Sequence, residues 1–175
     1  MNSQINIRES LEGVIKRLTE NPEKAVGADS EAVTVLEEGL RVRASGPNGQ
    51  TLVCDMPKGL GGQAAAPSPG WMARASLANC EAVMIALRAA QLGVKLKSLE
   101  VRVDSVSDDR GMLGTDHTKP AGPLNMKVSV RVAADESSPR QLHEIIEWAV
   151  EHSPVGDTVS RGVPIEYVVQ VGNDK

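Results

Sequence analysis

The stretch "SLANCEAVMIALRAAQLGV", residues 76–94, decides the fold of this chain. It predicts a helix from about Gly70 to Leu92, because Gly93 directly after the last apolar turn is a common way to end a helix. Apolar residues lie on nearly every face of this helix, so we expect it to be buried on most sides. Cys80 lies in its middle, either as an inert core residue or as a reactive thiol.

The segments on both sides of this helix predict an α+β fold in a single domain, residues 1–175. Apolar residues at helical spacing predict an N-terminal helix within residues 1–22, and Ser138-Pro139 predicts the start of an amphipathic helix that Pro154 ends. This order groups the helices between antiparallel runs, which favours an α+β fold over a regular βαβ winding. Alternating apolar residues predict six strands, at residues 31–37, 39–45, 50–56, 95–106, 124–134 and 164–171.

The composition excludes several classes of function. The net charge is −4, and the aromatic residues are two Trp and one Tyr, so the chain has neither a basic face nor enough stacking rings for nucleic acid. No run of about 18 uncharged apolar residues exists, which argues against a membrane span. Residues 1–20 lack the apolar core of a signal peptide, so we expect a cytoplasmic protein. In that reducing compartment, Cys54 and Cys80 are not expected to form a structural disulfide.

Motifs for metals, cofactors and serine nucleophiles are missing from the sequence. The Gly-rich loop "GLGGQ", residues 59–63, lacks the Lys-Ser/Thr of a phosphate-binding loop. The three histidines stand singly without metal-ligand spacing, and no G-x-S-x-G elbow is present. We therefore expect no metal and no cofactor. Cys54 lies in an alternating strand, where the expected role is a small buried hydrophobe.

Two segments carry a family resemblance. The first is "DMPKGLGGQAAAPSPGWMARASLANCEAVMIALRAAQLGVKLKSLEVRV", residues 55–103, with an acid-x-Pro step, a Leu-Gly-Gly loop and a cysteine eleven residues after the proline that begins the helix. The second is "IIEWAVEHSPVGDTVSRGVPIEYVV", residues 145–169. Together they resemble the OsmC/Ohr family of thiol-dependent hydroperoxide reductases, over roughly residues 30–171.

The resemblance implies a fold, an assembly and a mechanism. It implies antiparallel sheets wrapped around a buried central helix, and an intertwined homodimer with active sites at the subunit interface. In the family, the cysteine matching Cys80 attacks the peroxide as a thiolate and becomes a sulfenic acid. A second cysteine then resolves the sulfenic acid as a disulfide, which a dithiol reduces. A glutamate and an arginine near the first cysteine activate it.

The chain departs from this family pattern at the residues that carry the mechanism. Ser153 stands at the second cysteine position, so a disulfide to Cys80 is not available there, although a serine hydroxyl is able to hydrogen-bond a thiolate or a sulfenic acid. We expect Cys80 and Ser153 to lie close together as the candidate catalytic pair. Gly70 stands where the family has the glutamate.

No arginine has a clear place beside Cys80. In the family alignment, Glu37 or Glu38 lies closest to the arginine position. Helix spacing places neither arginine of the central helix on the Cys80 face, so activation of the thiol has to come from another segment. Four arginines are considered: Arg41 and Arg43 in an early strand, from which the activation is expected, and Arg74 and Arg88 in the central helix, which lie off the Cys80 face.

Two hypotheses about function follow. The first is a hydroperoxide reductase with weakened one-cysteine chemistry at Cys80, reduced by a dithiol; Cys54 serves as resolver only if the two Cα atoms lie about 4.4–6.8 Å apart. The second is a non-enzymatic module that binds a small hydrophobic ligand at the dimer interface, with Cys80 as a remnant or a redox sensor. Gly70 and Ser153 favour the second, and the retention of Cys80 within a recognisable motif favours the first.

Overall fold

The computed structural model describes residues 3–172, with side chains from residue 7 onward. It contains five α-helices and five strands within that range, together with 3-10 turns at Pro22–Ala25 and Lys58–Leu60. The helices are α1 (Ser3–Glu20), α2 (Pro69–Gln91), α3 (Asp109–Met112), α4 (Pro139–Glu151) and α5 (Pro154–Arg161). The strands are β1 (Val33–Glu38), β2 (Arg41–Ser45), β3 (Thr51–Cys54), β4 (Leu96–Val106) and β5 (Asn125–Ala134).

The strands form two separate antiparallel sheets. β1, β2 and β3 make a three-stranded meander, with β2 in the centre. β4 and β5 make a long two-stranded hairpin in which Leu99 faces Val132 and Val101 faces Val130. The α+β class and the first five strands predicted from the sequence are confirmed.

The core lies where α2 and α4 pack together against the β4–β5 hairpin. Ile85 and Ala89 of α2 and Ile145 and Ala149 of α4 are fully or almost fully buried there. The alanines let the two helices approach closely, and each buried isoleucine contributes about 1.5–3 kcal/mol through loss of apolar surface from water. This core fixes the position of α2, the helix that carries Cys80.

The ends of α2 follow the local sequence closely. The Ser68 side chain accepts a hydrogen bond from the Trp71 backbone N–H at 3.3 Å, and Pro69 occupies the first helical position. Gly93 adopts a left-handed φ of +72° directly after the C-cap Leu92. The predicted limits of the helix are confirmed to within one residue.

The burial of α2 is one-sided in the single chain, whereas we expected burial on most sides. The buried face is a stripe at a spacing of four residues, formed by Leu77, Glu81, Ile85 and Ala89. On the opposite side, Val83 is 61% exposed. Among the described residues, the meander of β1 to β3 has no extensive contact with α2, and it therefore leaves this outer side uncovered.

Two features of the C-terminal part differ from the predictions. α4 ends before Pro154 as predicted, but the chain turns at His152 and Ser153-Pro154 begins a further helix, α5, which was not predicted. Residues 164–171, predicted as a strand, pair with none of the five strands. An alternating segment forms a strand only where an edge is available to pair with it. Within residues 3–172, no helix is long and apolar enough to cross a membrane.

Candidate functional site

Cys80 and Ser153 meet where α5 folds back on α2. The Ser153 hydroxyl donates a hydrogen bond to the Cys80 sulfur, with Oγ and Sγ 3.3 Å apart. Ser153 is only 1% exposed, and its Oγ also accepts a hydrogen bond from the Gly156 backbone N–H at 3.1 Å as the N-cap of α5. The hydroxyl group therefore accepts one hydrogen bond and donates another, as its one donor and two acceptor positions allow. The expected proximity of Cys80 and Ser153 is confirmed.

The local fold explains how residues 73 positions apart come together. α4 packs along α2, and it ends only two residues before α5 begins. α5 therefore starts beside α2 and packs against it as well. The N-terminal turn of α5 thus lies against the middle of α2, at the level of Cys80.

A buried glutamate, Glu81, completes this site. It follows Cys80 directly, is 3% exposed, and its Oε2 has no hydrogen-bond partner among the described residues. A Cβ atom at Gly156 would lie 3.0 Å from both Glu81 Oε1 and Ser153 Oγ, so the glycine permits the close approach of α5 to this carboxyl group. Glu81 was not among the residues singled out from the sequence, because its burial against α5 depends on the tertiary structure.

The four candidate arginines are engaged elsewhere. Arg74 donates to Ser105 Oγ at 3.2 Å, and the Arg88 guanidinium lies 4.7 Å from the ring centre of Trp148. None of the hydrogen bonds or ion pairs of the four arginines in the described chain reaches Cys80. The third and fourth candidates, Arg41 and Arg43, both pair with Glu37.

The two ion pairs in the meander change the pKa of Glu37. The hydrogen bond from Arg41, and then the one from Arg43, lower the pKa of Glu37 below its usual range. Both guanidinium groups therefore share one carboxylate of the same hairpin. The expected activation of Cys80 by Arg41 or Arg43 finds no support in these contacts.

Gly70, at the family's glutamate position, is the second residue of α2 and is exposed. A Cβ atom there would meet nothing closer than an Arg74 nitrogen at 4.0 Å. Packing therefore does not require glycine at this position. In the described chain, the carboxyl group nearest in sequence to the thiol is instead that of Glu81.

The Gly-rich loop before α2 is held by Asp55. The buried Asp55 carboxylate accepts hydrogen bonds from the backbone N–H groups of Met56, Gln63 and Ala65, at 2.7, 3.1 and 3.0 Å. These hydrogen bonds lower the pKa of Asp55 below its usual range, and the one from Ala65 has the largest effect. At Gly62, a Cβ atom would lie 1.9 Å from the Met56 carbonyl oxygen, so only glycine fits. The loop binds an internal carboxylate and anchors the start of α2.

A groove lies between this loop and the first turns of α2. It encloses about 380 Å³, and Trp71, which is half exposed, forms one wall. The rest of the lining is mainly apolar, with Pro57, Ala66 and Pro67. It also includes two charged groups, Arg74 and Asp55.

Cys54 lies in a different part of the fold from the Cys80 site. It is the last residue of β3 and stands opposite Val42 of β2 in the meander. Cys54 and Cys80 are both free thiols and both half-buried. An inert role for Cys54 stays a prediction.

Comparison with known proteins agrees with this fold. The sequence profile of the family described as OsmC-like protein matches residues 61–168, well over half of the chain. The chain belongs to the OsmC-like family. Because Cys54 and Cys80 are its only cysteines and Ser153 stands in the second motif, this member lacks the family's second cysteine. A search of curated proteins finds no significant match.

Solved structures share the fold at low sequence identity. An OsmC-like protein of unknown function from Vibrio cholerae is 11% identical, with a TM-score of 0.64, over 77% of this chain and 95% of that one. An OsmC-like protein from Mycoplasma pneumoniae is 19% identical, with a TM-score of 0.64, over 79% and 91%. An organic hydroperoxide resistance protein from Legionella pneumophila is 16% identical, with a TM-score of 0.55, over 77% and 92%. At these identities the similarity shows the OsmC-like fold, antiparallel sheets around a central helix.

Proposed function

We propose that this OsmC-like protein reduces organic hydroperoxides with a single reactive cysteine, Cys80. The observation that carries the proposal is the hydrogen bond from Ser153 Oγ to Cys80 Sγ at 3.3 Å. This contact fixes the position of the Cys80 sulfur, and the proposed reaction uses that sulfur, as a thiolate, as the nucleophile. The substrate class is taken from fold relatives named organic hydroperoxide resistance proteins, from Legionella pneumophila and Elizabethkingia anophelis.

The proposed reaction has two stages. In the first, the Cys80 thiolate attacks the terminal oxygen of the hydroperoxide, the O–O bond breaks, and the alkoxide takes a proton from solvent and leaves as an alcohol. Cys80 is now a sulfenic acid, and the peroxide has gained two electrons. In the second, one thiol of a dithiol attacks the sulfenic sulfur and releases water. The second thiol then displaces Cys80 as a thiol and leaves the reductant as a disulfide.

Ser153 has a defined place in this scheme. Its hydroxyl orients toward the sulfur in the reduced protein, and it remains within hydrogen-bond distance of the oxygen that the first stage adds. It cannot resolve the sulfenic acid as a cysteine does. The reductant must therefore come from outside the chain, which fits a cytoplasmic protein that acts as a homodimer in a thiol-rich compartment.

The test is hydroperoxide consumption with excess dithiol by the wild type, Cys80→Ser and Cys54→Ser. We expect turnover to be lost in Cys80→Ser and retained in Cys54→Ser, because only Cys80 lies at the site. Equal rates for the wild type and Cys80→Ser would refute the peroxidase proposal. Loss of turnover in Cys54→Ser would make Cys54 the resolving cysteine.

A second candidate function is supported by the groove beside Trp71. Its volume of about 380 Å³ and its apolar walls suit a small hydrophobic molecule. In this alternative, Cys80 is a remnant or a redox sensor and the protein is a binding module. Binding of an apolar probe, followed by the probe's own fluorescence in a protein without peroxide turnover, and its loss in Trp71→Ala, would favour this function.

A further inference from the structure

Glu81 is a buried carboxyl group that the proposed reaction does not use. The residue is 3% exposed and has almost no contact with bulk water. Its Oε2 nevertheless has no hydrogen-bond partner among the described residues. An acceptor left unpaired in the interior is unfavourable, and a redox or catalytic role is one of the reasons for which proteins keep such a group. A carboxylate oxygen accepts hydrogen bonds, so the partner that would satisfy Oε2 is a hydrogen-bond donor.

The surroundings of Glu81 indicate where that donor arises. The Glu81 Oε1 and Ser153 Oγ atoms each lie 3.0 Å from the same point, the Cβ position of Gly156, and are therefore at most about 6 Å apart. Ser153 Oγ in turn lies 3.3 Å from Cys80 Sγ. The carboxyl group also faces the third residue of α5, and a negative charge beside the first turn of a helix is favourable.

We infer that Glu81 protects the oxidised form of Cys80, by accepting a hydrogen bond from the hydroxyl group of the sulfenic acid. The inference rests on the proposed function, because hydroperoxide reduction is what generates that hydroxyl group. Glu81 is thus a positioning residue for the intermediate. The Ser153 hydroxyl donates a hydrogen bond to the sulfur atom of the same sulfenic acid. In the oxidised state, the S–O–H group is the hydrogen-bond donor that Glu81 Oε2 lacks in the reduced state.

The chemical effect of this hydrogen bond is to slow a second oxidation. A second hydroperoxide converts the sulfenate anion into a sulfinate: a new S–O bond forms, the O–O bond breaks, and an alcohol leaves. The anion is the reactive species in that step. A carboxylate that accepts a hydrogen bond from the S–O–H group favours the protonated sulfenic acid, because only that form has the proton to donate. In a chain without the second cysteine, this protection preserves the intermediate until a dithiol arrives.

The experiment measures which oxidation products form at Cys80. Cys54→Ser protein, with Cys80 as its one cysteine, is treated with cumene hydroperoxide in the absence of reductant. Dimedone traps the sulfenic acid, and peptide mass spectrometry gives the ratio of sulfinic to sulfenic product. The same background carries Glu81→Gln, which removes the charge, or Glu81→Met, which removes all hydrogen bonding at similar volume. Glu147→Gln, an exposed glutamate on α4, is the matched control.

We expect the ratio of sulfinic to sulfenic product to rise about tenfold in Glu81→Met, the effect of losing one charge-assisted hydrogen bond, and by a smaller factor in Glu81→Gln. The ratio in Glu147→Gln should equal that of the parent protein. Glu81→Met should melt no lower than the parent, because it removes the unpaired buried acceptor.

Two results overturn the inference, and they are distinguishable. If the parent protein forms trapped sulfenic acid but the ratio is unchanged in both Glu81 variants, Glu81 has no protective role while the proposed function stands. If the parent protein forms neither product at Cys80, hydroperoxide reduction itself fails and the inference fails with it.

Discussion

At the scale of single residues, Ser153 combines two tasks that a cysteine performs less well together. Its hydroxyl donates to the Cys80 sulfur, and its oxygen caps α5 by accepting from the Gly156 N–H. A thiol is a weak acceptor and a weak donor, so it would serve the cap poorly. The serine therefore stabilises the reduced site and the helix start, but it leaves the oxidised site without an internal resolving group.

Ser153→Cys tests whether residue 153 lies at the position from which a second cysteine would resolve Cys80. The present separation of 3.3 Å from Cys80 Sγ has to shorten by little more than 1 Å to reach the length of a disulfide bond. We expect mild peroxide to link the two residues, and dithiol-dependent turnover to rise because a nearby thiol traps the sulfenic acid before further oxidation. The loss of the serine cap should lower the free energy of unfolding by about 1 kcal/mol.

Mass spectrometry of the oxidised variant, with and without prior reduction, detects the link. Ser160→Cys is a suitable control, because Ser160 lies on the same helix with its hydroxyl bonded to the Gly156 carbonyl, away from the sulfur. An oxidised Ser153→Cys protein without the crosslink would contradict the assigned geometry of the site.

At the scale of elements, the Gly-rich loop and the start of α2 depend on Asp55. Its folded-state pKa is lowered, chiefly by the Ala65 N–H and also by the Met56 and Gln63 N–H groups. A carboxyl group whose pKa is depressed on folding contributes stability above its unfolded pKa and loses it as the pH falls through the folded value. The loop should therefore loosen in acid, below the usual range for an aspartate.

Asp55→Asn tests this element-scale prediction. The amide is uncharged and presents one N–H₂ group to backbone N–H donors, so the variant should be clearly less stable than the wild type at neutral pH. The difference should shrink as the pH falls through the folded pKa of Asp55, because the wild type then loses its carboxylate. Urea unfolding midpoints of both proteins across the acid range give the measurement. A difference that stays constant with pH would show that the charge of Asp55 does not hold the loop.

The elements themselves were largely predictable from the sequence, because their signals are local. Ser68-Pro69 and Gly93 mark the ends of α2, and alternating residues mark β4 and β5. The failures at Pro154 and at residues 164–171 have one physical origin: whether a proline begins a helix, or an alternating segment finds a sheet edge, depends on what lies next to it in space.

Only the part of the site that lies in recognisable sequence motifs was predictable. The pairing of Cys80 with Ser153 followed from the family resemblance and was confirmed. The place of Glu81 did not follow, because no local pattern reveals that a charged residue on a helix will face a partner helix that starts 73 residues later. The unpaired state of its Oε2 is visible only in three dimensions.

At the scale of the whole molecule, the single chain leaves three apolar surfaces uncovered. They lie on the meander, on the outer side of α2 and along the C-terminal segment. Soluble monomers rarely expose apolar surface on this scale, and an alternating segment without a sheet edge is suited to pairing with another chain. The residues concerned are Val33, Val35 and Leu36 in β1, Val83 in α2, and Ile165, Val168, Val169 and Val171 in the C-terminal segment.

The whole-molecule prediction is therefore a homodimer in which a second copy covers these surfaces. Multi-angle light scattering of the wild type at micromolar concentration should give twice the mass of the chain. Val83→Asp should shift the mass toward the monomer, because Val83 lies about 200° around α2 from the buried Glu81 and an aspartate there would place a charge in the interface. Val26→Asp, at a position 89% exposed and outside the three surfaces, should stay dimeric. If the wild-type protein is monomeric under these conditions, the prediction that a second copy covers α2 is wrong. The exposed apolar residues would then need another partner.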